Sequence, residues 1–119
     1  PNATFGTVLF TLSSGKPYGI ALRDDPPNAI YFTDDNAKTC ELWSINGSAV
    51  RILTMGTSSI LGYPKSIAID RYGNVYVADE SSNRVVLFRG ASTTHRIIVG
   101  TSAGTSPPLS EPTGVALDS

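Results

Sequence analysis

The chain has 119 residues, 40% of them hydrophobic, 16% charged and 8% aromatic, with a formal net charge of -1. That length suits one domain with a modest core, burying about two-thirds of its unfolded surface, and the near-neutral charge speaks against binding nucleic acid by phosphate neutralisation. No stretch approaches the roughly 20 apolar residues of a membrane helix, and the single cysteine, Cys40, allows neither an internal disulfide nor a multi-cysteine zinc site.

Along the chain, short apolar runs of about five or six residues, the usual strand length, alternate with turn formers. Thr7–Leu12 is the first. Four follow at Gly19–Leu22, Ala29–Thr33, Cys40–Ile45 and Val50–Met55. Four more lie at Ser66–Ile69, Asn74–Ala78, Arg84–Arg89 and His95–Val99, and Gly114–Leu117 is the last. They are rich in Val, Ile, Tyr and Phe, which fit a pleated surface. Asn46-Gly47 and Gly73-Asn74 mark turns, because Gly and Asn tolerate positive φ. No window shows a capped apolar period of 3.6 residues. Pro17, Pro26, Pro27, Pro64, Pro107, Pro108 and Pro112 also interrupt the chain too often for long helices.

The runs form a repeat. Pro17-Tyr18-Gly19-Ile20-Ala21-Leu22 returns as Pro64-Lys65-Ser66-Ile67-Ala68-Ile69-Asp70 and again as Pro112-Thr113-Gly114-Val115-Ala116-Leu117-Asp118. Starts at 17, 64 and 112 give spacings of 47 and 48 residues. Ile30–Asp34 aligns with Val75–Asp79, Cys40–Trp43 with Val85–Phe88, and Arg51–Gly56 with Arg96–Gly100. The first copy is longer by two residues before its second strand. Four strands in such a period predict a propeller blade. The fold expected is all-β: a β-propeller segment of two complete four-stranded antiparallel blades, with a leading outer strand and a trailing inner strand.

Labelling the strands a to d from the centre outward divides the chain as follows. Residues 1–16 hold the outer strand of a preceding blade and a linker, 17–56 the first blade, 57–63 an inter-blade loop, 64–100 the second blade, and 101–119 a loop and the inner strand of a third. Ala21, Ala68 and Ala116 place a small residue on each a strand, where blades converge. Two blades cannot close a ring that takes typically 4–8, and their outer faces would show apolar side chains to water. The chain therefore reads as a segment of a larger propeller. The other reading is a two-blade unit that assembles with copies of itself. The start at Pro1 without Met, and without a charged segment followed by an apolar one, agrees with the first reading.

Residues Pro64 to Phe88, with Pro64-Lys65-Ser66-Ile67-Ala68-Ile69-Asp70, then Gly73-Asn74-Val75-Tyr76-Val77-Ala78-Asp79, then Asn83-Arg84-Val85-Val86-Leu87-Phe88, closely resemble an NHL repeat. Ser66 stands where that pattern has Gly. In the first copy Ala37-Lys38-Thr39 replaces the expected Asn-Arg. The resemblance implies a propeller that serves as a non-catalytic scaffold for a protein or glycan. Its relatives also include a peptide-amidating lyase, metal-dependent lactonases, RNA binders and the substrate-binding tails of ubiquitin ligases. The enzyme alternatives would bring Ca²⁺ or Zn²⁺; the scaffold reading needs no cofactor.

The d–a and b–c loops share one end of such a propeller, and the long d–a loops make it the expected binding face. Its charges are Lys16, Asp34, Asp35, Lys38, Asp79, Glu80 and Glu111, five acidic against two basic, so nucleic acid is not the expected partner. Asp35, Lys38, Glu80 and Asn83 are the candidate binding residues. Asp34 and Asp79 end the b strands, where a carboxylate can accept backbone N–H groups of a tight turn. Catalysis has thin support. His95 is the only histidine and sits at an outer edge, Cys40 aligns with Val85 and reads as an apolar strand residue, and the repeated Asp70 and Asp118 read as scaffold. Two glycosylation sequons, at Asn2 and Asn46, point toward a secreted protein.

Overall fold

A computed structural model describes residues 11, 15–23, 28–45, 49–100, 114 and 116. The expected strands at Thr7–Leu12 and Gly114–Leu117, and the sequons at Asn2 and Asn46, lie outside the described residues or are covered only at single positions. Among the described residues are eight strands: β1 (Pro17–Arg23), β2 (Ala29–Asp34), β3 (Thr39–Ser44), β4 (Val50–Gly56), β5 (Pro64–Ile69), β6 (Val75–Asp79), β7 (Arg84–Phe88) and β8 (His95–Gly100). They form two four-stranded antiparallel sheets in sequential order, β1-β2-β3-β4 and β5-β6-β7-β8. The third strand of the second sheet stops at Phe88, one residue before the sequence expectation. Arg89 enters a short 3-10 turn, and Gly90 at φ 55 turns the chain back toward β8.

The two sheets share most of their irregularities, and only the first has a further shift, between Leu42 and Trp43. Pro17 pairs with Asp34 and Pro64 with Asp79, and in both sheets the register then shifts before the next pair, at Ile20 and Ile67. A proline has no N–H for the ladder, so the start of a strand beside a bulge is where it fits. A second shift falls between Cys40 and Glu41 in the first sheet and between Val85 and Val86 in the second, which are aligned positions.

One core lies between the sheets. Ala29, Tyr31, Cys40 and Leu42 from the first meet Ile67, Val75, Val77, Val86 and Phe88 from the second, with Met55 and Leu61 also in the cluster. The alternation of β2 explains this, since Ala29, Tyr31 and Thr33 share one face of a strand with period two. Burial pushes the Cys40 thiol far up, with the Glu41 charge adding to it, so Cys40 behaves as an apolar residue. Near the axis the strands β1 and β5 approach so closely that a Cβ on Gly19 would stand 2.3 Å from the Lys65 carbonyl oxygen. The tight spot is therefore Gly19. The repeated alanines are less enclosed, and Ala21 is only partly buried against the core. Thr33 closes the same contact: its Oγ1 accepts the Gly19 N–H at 2.9 Å and donates to the Lys65 carbonyl at 2.6 Å.

The opposite face of the first sheet carries Ile20 and Leu22 at 64% and 69% exposure. Their counterparts Ile67 and Ile69 are covered wholly or in part by the first sheet. Farther out on that face, Glu41 occupies the position of Val86. It is buried, accepts bonds from Thr39 Oγ1 at 2.6 Å and Trp43 Nε1 at 3.0 Å, and lies 3.7 Å from Arg51. Trp43 and Phe88 are aligned, yet Phe88 fills the inter-sheet core while Trp43 packs at 6.0 Å against Phe32 on the other face.

Candidate binding site on the loop face

The β2–β3 and β6–β7 turns share one end of the molecule with the segments entering β1 and β5. Two buried carboxylates tie these pieces together. Asp34 Oδ1 accepts N–H groups from Asn36 at 3.0 Å and Ala37 at 2.9 Å in its own turn, and from Lys16 at 2.9 Å in the segment before β1. Asp79 accepts the N–H groups of Gly62 at 3.1 Å and Tyr63 at 3.0 Å in the segment before β5. The Arg84 guanidinium lies 3.4 Å from Asp79 Oδ2 and also donates to the Ile60 carbonyl. Both carboxylates are thus enclosed by donors, and neither presents charge to a ligand.

The four candidate binding residues occupy two pairs of equivalent turn positions. Lys38 (φ 60) and Asn83 (φ 53) both stand in the left-handed region. Asn tolerates that conformation better than a long side chain does. In the repeat, Asn83 is therefore explained by the turn geometry. Lys38 carries the strain, and its ammonium lies 4.9 Å from the Tyr63 ring centroid. Glu80 is half-buried. Asp35, its counterpart, is 7% exposed and lies beneath the surface. Asp35 Oδ2 accepts from Lys65 Nζ at 3.0 Å and stands 3.7 Å from Lys16 Nζ. Asp35 Oδ1 is buried and has no hydrogen-bond partner among the described residues.

Lys65 is the residue that sequence reasoning missed. It belongs to the second sheet yet pairs with Asp35 of the first, so it spans the junction. Its ammonium also lies 4.3 Å from the Tyr18 ring centroid and 6.0 Å from that of Tyr63. Burial works to lower the Lys65 pKa, but the hydrogen bond and charge of Asp35, followed by Glu80 and Tyr18, hold it above the ordinary 10.5. Tyr18 and Tyr63 are 57% and 44% exposed. A signal did exist: the position after the repeated proline holds Tyr18, Lys65 and Thr113 in the three copies, so it varies inside a constant frame.

The charge balance of this end consequently differs from the sequence count. Arg84 pairs with Asp79 and Lys65 joins the cations, so among the described residues Lys16, Lys38, Lys65 and Arg84 balance Asp34, Asp35, Asp79 and Glu80. His95 is exposed at the outer edge, with its ring 6.1 Å from Phe88. Among the described residues no group of three or more His, Cys, Asp or Glu side chains is placed to hold a metal ion, and no helix is long and apolar enough to cross a membrane.

A family model described as a β-propeller repeat, SBBP, matches residues 50–78. The two sheets are blades of a β-propeller. The matched stretch runs from β4 through β5 and most of β6, so it straddles the junction and includes Met55, Leu61, Ile67, Val75 and Val77 of the shared core. No curated protein matches the chain significantly.

Proposed function

We propose that the chain is part of an NHL-type propeller that acts as a non-catalytic binding scaffold, taking a protein or glycan partner on its loop face. The observation that carries this is the layering of that face. Exposed Tyr18 and Tyr63, with Lys16 and Lys38, stand above the buried, hydrogen-bonded carboxylates Asp34 and Asp79. Side chains held on such a framework lose little further freedom on binding, which favours affinity. The NHL assignment draws support from Asn83, whose turn conformation gives a physical reason for the Asn of that pattern.

The test is surface capture of a panel of oligosaccharides and secreted proteins by the chain and its variants. Lys38→Ala and Glu80→Ala should weaken capture of any ligand found while leaving the unfolding midpoint nearly unchanged. Asp35→Ala should instead lower stability, because it leaves the Lys65 ammonium without its bonded partner. Binding that survives both loop-face changes, yet is abolished by Tyr72→Ala at the opposite end, would refute the assignment of this face.

A further inference from the structure

Resting on the scaffold reading above, we infer that the blade junction on the loop face is a site for acidic oligosaccharides bearing uronate-type sugars, built from Lys16, Tyr18, Asp35, Lys38, Tyr63 and Lys65. Three independent features set that chemistry.

The first is the pair of exposed rings. Lys65 Nζ lies 4.3 Å from one centroid and 6.0 Å from the other, so the Tyr18 and Tyr63 rings are at most about 10 Å apart. Tyr18 lies in β1 and Tyr63 in the segment entering β5, where its N–H is bonded to Asp79, and the bonded junction fixes their separation. An aromatic face offers a sugar ring an apolar surface, while the phenol hydroxyl at its tip remains a polar handle.

The second is charge. Lys16 and Lys65 flank the Asp35 carboxylate, and Lys38 stands over the Tyr63 ring. Against these three ammonium groups stand Asp35 and the half-buried Glu80, whose charge also reaches Lys65, so the site keeps a small positive excess. Lys16 is held only by a 3.7 Å contact and its side chain is 70% exposed, so it can reach a ligand carboxylate without breaking the buried pair.

The third is the unpaired acceptor. A buried carboxylate oxygen without a donor calls for an explanation. Asp35 Oδ1 is such an atom among the described residues. Because that oxygen has no exposed surface, a sugar hydroxyl reaches it through a water admitted when the exposed Lys16 side chain swings aside. One ligand class combines a ring for the tyrosines, a hydroxyl for Asp35 and an adjacent carboxylate for the lysines. An acidic peptide matches the lysines alone.

The experiment is calorimetric titration of the chain with three probes: trigalacturonate, a neutral galactose trisaccharide, and poly-glutamate. Trigalacturonate should bind, with the neutral sugar at least about tenfold weaker. Tyr63→Ala should weaken the acidic sugar by about tenfold and Tyr63→Phe by far less, since the ring face is kept. Lys38→Ala should weaken it several-fold and reduce the salt dependence. Unfolding midpoints of each variant separate lost binding from lost fold. Equal binding of poly-glutamate, unaffected by Tyr63→Ala, would overturn the proposal in favour of a plain cationic patch for acidic proteins. If trigalacturonate fails while another partner is still captured in a Lys38-dependent way, the sugar inference falls and the scaffold reading stands. If no loop-face capture of any kind is found, both fall.

Discussion

Gly19→Ala adds one methyl group at the point where the inner strands of the two blades nearly touch. The new Cβ would stand 2.3 Å from the Lys65 carbonyl oxygen and 3.2 Å from the Ile67 nitrogen, both backbone atoms. Backbone cannot rotate away as a side-chain tip can, so the strands must separate by about an ångström. Overpacking of this kind costs about 1–3 kcal/mol. The separation also stretches the 2.6 Å bond from Thr33 Oγ1 to the same carbonyl, a loss of about 1 kcal/mol. The reduced freedom of the unfolded chain returns roughly 0.4–1 kcal/mol. The expected net loss is about 2–3 kcal/mol, which lowers the urea midpoint by about 1–2 M at the slope usual for small domains. Ser66 occupies the same repeat position in the second blade and carries a side chain there, so it is the closeness of Lys65 to Gly19, not the repeat position itself, that excludes a Cβ. A Gly19→Ala variant as stable as the parent, or more stable, would refute the argument that this contact holds the blades together.

Other expectations rest on separate contacts. Thr33→Val keeps the shape but leaves the Gly19 N–H and Lys65 carbonyl unpaired; it should cost about 1–2 kcal/mol in denaturant unfolding and speed hydrogen exchange at the Gly19 amide. Lys38→Asn should raise stability by up to about 1 kcal/mol, because Asn suits the left-handed turn, while lowering loop-face binding; thermal unfolding and titration read the two effects separately. Asp79→Asn removes the buried charge that Arg84 and two backbone donors face, and should cost about 3 kcal/mol or prevent folding, with loss of the native baseline of the urea unfolding curve as the sign. The bond from Tyr76 Oη to Asp70 Oδ2 at 3.1 Å gives stability a dependence on pH at both extremes. Burial works to raise the Asp70 pKa, but bonds from Asn74, Tyr76 and Tyr72 hold it below 3.8. Its contribution is therefore present above that value and lost as pH falls through the folded pKa. Burial and the Asp70 bond raise the Tyr76 pKa above 10.0, so that contribution is present below pH 10 and lost as pH rises through the folded value. Tyr76→Phe should flatten the alkaline limb and reduce the acid one in unfolding measured across pH.

The blade plan was legible because each blade is built from local pairings. Antiparallel strands joined by short turns are set by period-two alternation and by Gly, Asn and Pro at fixed offsets, and a second copy of the same pattern confirms the reading. The candidate site was legible only in part. Lys38 and Asn83 stood out as departures or matches in the repeat, but that both occupy a left-handed turn is a property of the backbone. Asp35 looked like an exposed acid because its neighbours are polar. It is buried because Lys65, 30 residues away in sequence, folds over it.

What the sequence determined by itself, then, is the order of the eight described strands and the sheet each belongs to, since those follow from contacts within about 50 residues of continuous chain. What the tertiary structure decided is which face of each blade is covered. Trp43 and Phe88 hold aligned positions on equivalent faces of their blades, but only the face of Phe88 has the other sheet laid against it, so Phe88 enters the shared core and Trp43 does not. The junction site has the same origin: Asp35 and Lys65 become partners only when one blade is laid against the next, a rigid-body placement that no local pattern encodes.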